Sequence, residues 1–159
     1  MTAWEPDLLD GYHQHTIELG ADPLGEGDLL ATLVRRGPAR PARRAVLAVH
    51  GYTDYFFNTE LADRFAAHDM AFYALDLHKC GRSWREGQTP HFATDLAEYH
   101  RELERAVAML ESRMTDRMAE AGAEAWEAFA EADPRGLDAL WRRALPLPHL
   151  APALRRHLQ

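Results

Sequence analysis

The sequence is poor in the residues that perform covalent chemistry. Its 159 residues include one cysteine, Cys80, and two serines, Ser83 and Ser112. A lone cysteine excludes an internal disulfide and fits a reducing compartment, so the expected location is cytoplasmic. No apolar run approaches the ~20 residues that span a bilayer, and no transmembrane segment is expected. Residues 1–10 carry acids but no basic stretch of the kind that opens a secretory signal. Positive charge is also scarce, with 18 Lys and Arg against 25 Asp and Glu and a formal net charge of −7. Binding a polyanion needs a concentrated basic face, so nucleic acid is not an expected partner. His13-x-His15 could set two imidazoles on one side of a strand, yet no further ligand cluster joins them, and neither a metal nor another cofactor is expected.

What is present suffices for one ordinary domain, since 47% of the residues are hydrophobic. Residues 16–19 and 29–34 are β-prone runs separated by Gly20, Pro23, Gly25 and Gly27, which predicts two strands joined by a turn-rich loop. Residues 35–44 mix Gly37, Pro38 and Pro41 with five arginines and read as a solvated connector. The run 45–49 is continuously apolar and stops at His50-Gly51, as expected for a strand covered on both faces. Leu61, Ala62, Phe65 and Ala66 recur at helical spacing and predict a helix over about 60–68. Residues 71–75 form a second buried strand ending in Asp76. Strand, helix and strand at this spacing make a βαβ unit with a parallel pairing and a right-handed crossover.

Farther on, Asp95 and Glu98 have the spacing of a capping box, and Leu96, Tyr99, Leu103, Val107 and Leu110 follow on one helical face. The pattern continues through Met114, Met118, Ala125 and Phe129, as one long helix or as two broken near Thr115 or Gly122. Asp133-Pro134 stops it, and Pro146, Pro148 and Pro152 predict a loosely structured end. Charge changes along this path: residues 94–133 hold eleven acids and four bases, whereas residues 134–159 hold five arginines and one acid. The expected fold class is therefore α/β, a small mixed sheet of about four strands with flanking helices over residues 1–113. A helical, Pro/Arg-rich extension over 114–159 follows.

The chemistry concentrates between residues 45 and 107. A buried strand ends in His50-Gly51-Tyr52. After a helix, a second strand ends in Asp76-Leu77-His78-Lys79-Cys80-Gly81-Arg82-Ser83. Preorganised backbone N–H donors at a strand end can stabilise the oxyanion of acyl transfer by about 3 to 4 kcal/mol each. A glycine at position 51 would let the chain turn sharply and bring the Tyr52 amide against a reacting carbonyl. The aromatic run Tyr52, Tyr55, Phe56 and Phe57 could line an acyl pocket or simply pack. His50 has two readings of equal weight, a direct role and an imidazole that fixes the turn.

Together these motifs, with Gly87-Gln88-Thr89-Pro90 and the helical Glu98-Tyr99, resemble the N-terminal half of α/β-hydrolases. The likeness is to the lysophospholipase and monoacylglycerol-lipase-like serine hydrolases grouped with serine aminopeptidases, and it covers roughly residues 14–110. The resemblance implies a partial α/β-hydrolase fold, ester or lipid substrates, and one oxyanion-hole donor at the Tyr52 N–H, positioned by His50 and Gly51. The Asp76–Ser83 turn resembles the family's Asp-x-x-Gly-x-Gly-x-Ser turn, with His78-Lys79-Cys80 standing where Arg-Gly-His is usual. In the family this turn is chiefly structural, which makes Asp76, Arg82 and Ser83 expected braces. Cys80 is expected to be a passive thiol.

The resemblance then stops. A serine hydrolase of this fold holds its nucleophile on a strained Gly-x-Ser-x-Gly elbow, and neither Ser83 nor Ser112 lies in one. His149 and His157 lie among prolines and arginines with no strand before them, which makes them poor partners for a triad. The expectation is a hydrolase relative inactive on its own. The alternative is a non-catalytic interaction protein that uses the half-fold and the long helix, with self-association through the open sheet edge or the long helix; a partner chain or the helical tail is expected to cover that edge.

Overall fold

The computed structural model describes residues 3–37, 42 and 44–113. Expectations for the helical continuation past Arg113 and for the Pro/Arg-rich end lie outside the described residues. The chain divides into two compact units, Met1–Leu110 and Glu111–Gln159, and the sheet belongs to the first.

Among the described residues five strands, not about four, form one mixed sheet: β1 (Glu5–Pro6), β2 (Tyr12–Ala21), β3 (Asp28–Arg36), β4 (Arg44–Val49) and β5 (Met70–Asp76), in the spatial order β1-β2-β3-β5-β4. The extra strand is the two-residue β1, antiparallel to β2 through Glu5 and Pro6. β2 and β3 form the expected hairpin, longer at both ends than the β-prone runs alone. The parallel pair is β4 with β5, joined by helix α1 (Thr59–Ala66), which starts one residue earlier and ends two residues earlier than its apolar spacing implies. The Asn58 side chain accepts from the Leu61 amide and satisfies one orphan donor of the first turn. A 3-10 turn over Leu96–Tyr99 then leads into helix α2 (residues 100–113). The capping box is formed as expected: the Asp95 carboxylate accepts from the Ala97 amide and Glu98 reaches back to the Asp95 amide.

Alternation along the strands divides the core into two layers. On one face Ala31, Leu33, Tyr73 and Leu75 pack with Ala106 and Leu110 of α2. On the other, Val34, Phe72 and Ala74 pack with Phe56 and with Ala62 of α1. β5 lies between β3 and β4, and its last five residues, Phe72–Asp76, are buried, as its continuous apolar sequence requires. β4 has the same composition but occupies an edge. Ala45 and Leu47 lean on the α2 layer, and Val46 and Ala48 on the α1 layer. All four stay only half-buried, and Val49 is 45% exposed. Among the described residues no helix is long and apolar enough to cross a membrane.

Candidate functional site

The parallel strands β4 and β5 run side by side, so the loops that leave their carboxyl ends meet at one end of the sheet. In open α/β sheets this is the end where ligands bind. His50 follows β4, and its ring crosses to the neighbouring strand, where Nε2 accepts a hydrogen bond from the Leu77 amide at 3.0 Å. That nitrogen is therefore unprotonated, and the proton of the neutral ring is on Nδ1, which donates to the Gly51 carbonyl at 2.8 Å. The imidazole thus ties the two strand ends together and shapes the next peptide. Of its two readings, the structure displays the one in which it fixes the turn.

The left-handed residue of this turn is Thr53, at φ 58°. Among the described residues, a Cβ built on Gly51 meets nothing within 4 Å. Tyr52 is 84% exposed, and its ring meets the His91 ring edge-on at 6.4 Å. Among the described residues the Tyr52 N–H meets no acceptor. Tyr55 and Phe57 lie against each other and are also exposed, whereas Phe56 is buried against Tyr12 and Phe72. The aromatic run is thus divided, with Phe56 in the core and its neighbours at the surface.

Phe56 anchors this loop. Its N–H donates to Asp76 Oδ1 at 2.9 Å, and its carbonyl accepts from Arg82 Nη1 at 2.8 Å. Asp76 is fully buried and also accepts from the Arg82 amide and guanidinium through Oδ2. Arg82 holds Asp7 with a two-pronged grip, Nε to Oδ2 at 2.6 Å and Nη2 to Oδ1 at 3.0 Å. Burial pushes the Asp7 carboxyl up, but the hydrogen bonds from Arg82 and the Leu9 amide outweigh it and hold the group below its ordinary value. Ser83 is fully buried, with its hydroxyl on Thr32 Oγ1 at 3.0 Å and on the Asp76 carbonyl at 2.7 Å. Asp76, Arg82 and Ser83 are braces in this geometry, and Ser83 Oγ faces no open space in which a substrate could react. Ser112 lies within α2, with no strand leading into it. Burial pushes the Cys80 thiol up to about 12, aided by the Asp76 and Glu102 charges, which leaves it a passive thiol.

Two clusters of polar side chains beside this turn were missed by sequence reasoning. Lys79, 2% exposed and at φ 60°, places Nζ 2.7 Å from Asp22 Oδ2 and 2.7 Å from Glu26 Oε2, both in the β2–β3 loop. Burial acts to lower its value, but the hydrogen bonds it donates to the Asp22 and Glu26 carboxylates overcome this and raise it. Glu26 also accepts from the Thr89 hydroxyl and amide, and Lys79 together with Thr89 brings its carboxyl down to about 2. The second cluster is buried His78, whose Nδ1 lies 2.8 Å from Glu102 Oε2 of α2 while its amide donates to Oε1. The strand-end turn is thus bolted to the hairpin loop on one side and to α2 on the other.

The other candidates fall away from this end. His13 lies against Gly37, and the His15 ring lies tilted against Trp4 with centroids 5.5 Å apart. No group of three or more His, Cys, Asp or Glu side chains could hold a metal ion among the described residues. A cavity of about 730 Å³ lies at the opposite end of β5, lined by Arg35, Arg36, Asp63, Asp69, Met70 and Tyr73 among others. It is remote from the His50–Tyr52 turn in the fold. No model of a known protein family matches this chain, and no curated protein does.

Proposed function

We propose that this chain is a relative of the serine ester and lipid hydrolases of the α/β-hydrolase type that keeps the oxyanion turn but supplies no nucleophile, and so is inactive alone. The observation that carries the reading is the Tyr52 N–H. It has no acceptor among the described residues, beside a Gly51 whose Cβ would meet nothing among them, on a turn held by His50 and Phe56. A donor fixed before a ligand arrives stabilises a developing oxyanion without reorganisation. The β3–αA loop of complete α/β-hydrolases contributes one such N–H, and the loop between β4 and α1 corresponds to it in this reading. Lys79 gives further support: its φ of 60° falls at the position where the resembled turn carries glycine, the residue that adopts this conformation without strain. The ligand is an acyl group or carboxylate with an apolar tail, its oxygen on the Tyr52 amide and its tail near Tyr52, Tyr55 and Phe57.

The test pairs chemistry with binding. A fluorophosphonate probe and a short-chain p-nitrophenyl ester should give no labelling and no turnover, while octanoate should shift the Tyr52 amide in a ¹⁵N-labelled chain. Labelling at Ser112 would establish a nucleophile and overturn the inactive half of the reading. An unmoved Tyr52 amide at saturating octanoate would overturn the oxyanion half.

A second reading is favoured by the half-buried apolar edge of β4: a non-catalytic interaction protein that uses the half-fold for association. The two readings are compatible, because the Tyr52 N–H lies in the loop after β4 and the edge belongs to β4 itself. A cytoplasmic location belongs with both.

A further inference from the structure

Among the described residues four non-glycine residues adopt a positive φ, and three of them, Thr53, Lys79 and His91, lie in the loops that leave the carboxyl ends of β4 and β5. Such backbone persists only where its surroundings fix it. For His91, at φ 58°, they do. Its N–H donates to the Lys79 carbonyl at 2.9 Å, and the segment between these two residues is fastened to the β2–β3 loop. Glu26 accepts from Lys79 Nζ, from the Thr89 hydroxyl and from the Thr89 amide, while Gln88 Nε2 donates to the Asp28 carbonyl at 3.1 Å. The hairpin thus sets the place of His91, independently of the bonds that hold the Tyr52 turn.

Histidine carries two costs here. Its backbone is left-handed, and its Nδ1 is buried with no hydrogen-bond partner among the described residues. An unpaired buried polar atom is destabilising, so Nδ1 does not account for the residue. The ring does: it meets the Tyr52 ring at an interplanar angle of 66° with centroids 6.4 Å apart, a favourable edge-to-face arrangement. Two rings at this angle make a corner with an aromatic wall on each side. Tyr52 supplies one wall as well as the N–H on which an acyl oxygen would sit. A linear chain leaving that oxygen along the Tyr52 side chain has its methylenes covered from both sides. Tyr55 and Phe57 belong to the same loop as Tyr52, whereas His91 comes from a different one, so His91 fixes the width of the site. Apolar walls beside a single placed donor are the ordinary composition of a small-ligand site.

We infer that His91 is a specificity-determining residue of the Tyr52 site, its ring forming with that of Tyr52 the corner that takes the methylenes of a linear acyl chain. The inference rests on the oxyanion reading and adds to it the residue that selects the tail.

Acetate and octanoate separate the head of the ligand from its tail. Each is titrated into the ¹⁵N-labelled full chain at equal ionic strength, with the Tyr52 amide as the readout. His91→Gly removes the ring and adopts φ 58° without strain. It should weaken octanoate about tenfold, as uncovering roughly two methylenes would, and leave acetate unchanged. His91→Phe keeps an apolar ring and should restore octanoate binding. An octanoate affinity unchanged in His91→Gly would place the tail elsewhere, and equal weakening of both acids would mark a merely structural role. Either result overturns this inference and leaves the Tyr52 donor standing. Octanoate binding lost in His91→Phe as in His91→Gly would assign the effect to a ring nitrogen and overturn the apolar corner as well. Should His91→Phe fail to fold, the ratio of octanoate to acetate affinity in His91→Gly still decides the matter. A Tyr52 amide that neither acid moves in the unmodified chain would overturn the oxyanion reading itself, and this inference with it.

Discussion

Replacing Arg82 by leucine removes the cation that holds together the turn after β5, the loop after β4 and the N-terminal segment. The guanidinium makes four hydrogen bonds to three groups: both oxygens of Asp7, Oδ2 of Asp76 and the carbonyl of Phe56. Asp76 keeps two backbone donors, the amides of Phe56 and residue 82, so its charge stays partly solvated by the protein. Asp7 keeps only backbone donors, the Leu8 and Leu9 amides, and both its side chain and that of Asp76 are fully buried. Most of the cost falls on Asp7, which loses two bonds from the guanidinium against one for Asp76. Breaking a buried pair on one side costs about 3–5 kcal/mol, a large share of the ~5–15 kcal/mol that stabilises a domain.

The pH dependence follows from Asp7. Its folded value lies below the ordinary one, so its contribution is present above the unfolded value and lost as pH falls through the folded one. Without Arg82, burial is less opposed, the carboxyl takes up its proton at higher pH, and the gap between the two proteins narrows on acidification. Urea denaturation followed by circular dichroism at pH 7 and at pH 4 measures both effects. Adding Asp7→Leu to Arg82→Leu should recover part of the loss, since the stranded charge is gone. A loss below about 1 kcal/mol at pH 7, the worth of a surface pair, would refute the reasoning. A gap that does not change between pH 7 and pH 4 would do so too.

Two further perturbations probe the same end of the sheet. The Glu26 carboxyl, at about 2 through Lys79 and Thr89, contributes stability in full above about pH 4.5 that is lost as pH falls toward 2. Glu26→Gln should therefore unfold at lower urea than the unmodified chain at pH 7 and match it near pH 2, and a constant difference across that range would contradict the assignment. Gly81 adopts φ 46°, and a Cβ there would lie 2.4 Å from Tyr55 Cβ and 2.6 Å from Asp76 Oδ2, whereas a Cβ on Gly51 meets nothing. Gly81→Ala should cost about 2–5 kcal/mol from backbone strain and overpacking, and Gly51→Ala less than about 1 kcal/mol. Equal thermal midpoints for the two variants would rule this out.

What the sequence displays is what depends on neighbours along the chain. The strands β4 and β5 and the helix between them follow from apolar runs and a 3.6-residue period, and the capping box at Asp95 follows from a three-residue spacing. β1 carries no such signal, because a two-residue strand has no period and pairs through its backbone alone. Lys79 reads as a surface charge for the same reason: one of its carboxylate partners, Glu26, lies 53 residues away, and no local pattern announces it. His78 and Glu102, 24 residues apart, are hidden likewise. One clue to Lys79 was present, since it stands at a glycine position of the resembled turn. A lysine held at φ 60° and buried requires some compensation, here a double ion pair.

The turn at His50, Gly51 and Tyr52 shows how far residue types reach and where they stop. His50, Gly51 and Tyr52 could be singled out in the sequence. The mechanics that make the turn rigid come from β5: the Leu77 amide fixes the tautomer of His50, and Asp76 with Arg82 fixes Phe56. The left-handed residue of the turn is Thr53, and the ring of His50 holds the Gly51 carbonyl. A turn whose shape is set by the adjacent strand keeps that shape as long as β4 and β5 stay paired, whatever stands on the other side of β4. Displacement of the Tyr52 N–H should therefore accompany disruption of the β4–β5 pairing and not disruption of the outer edge.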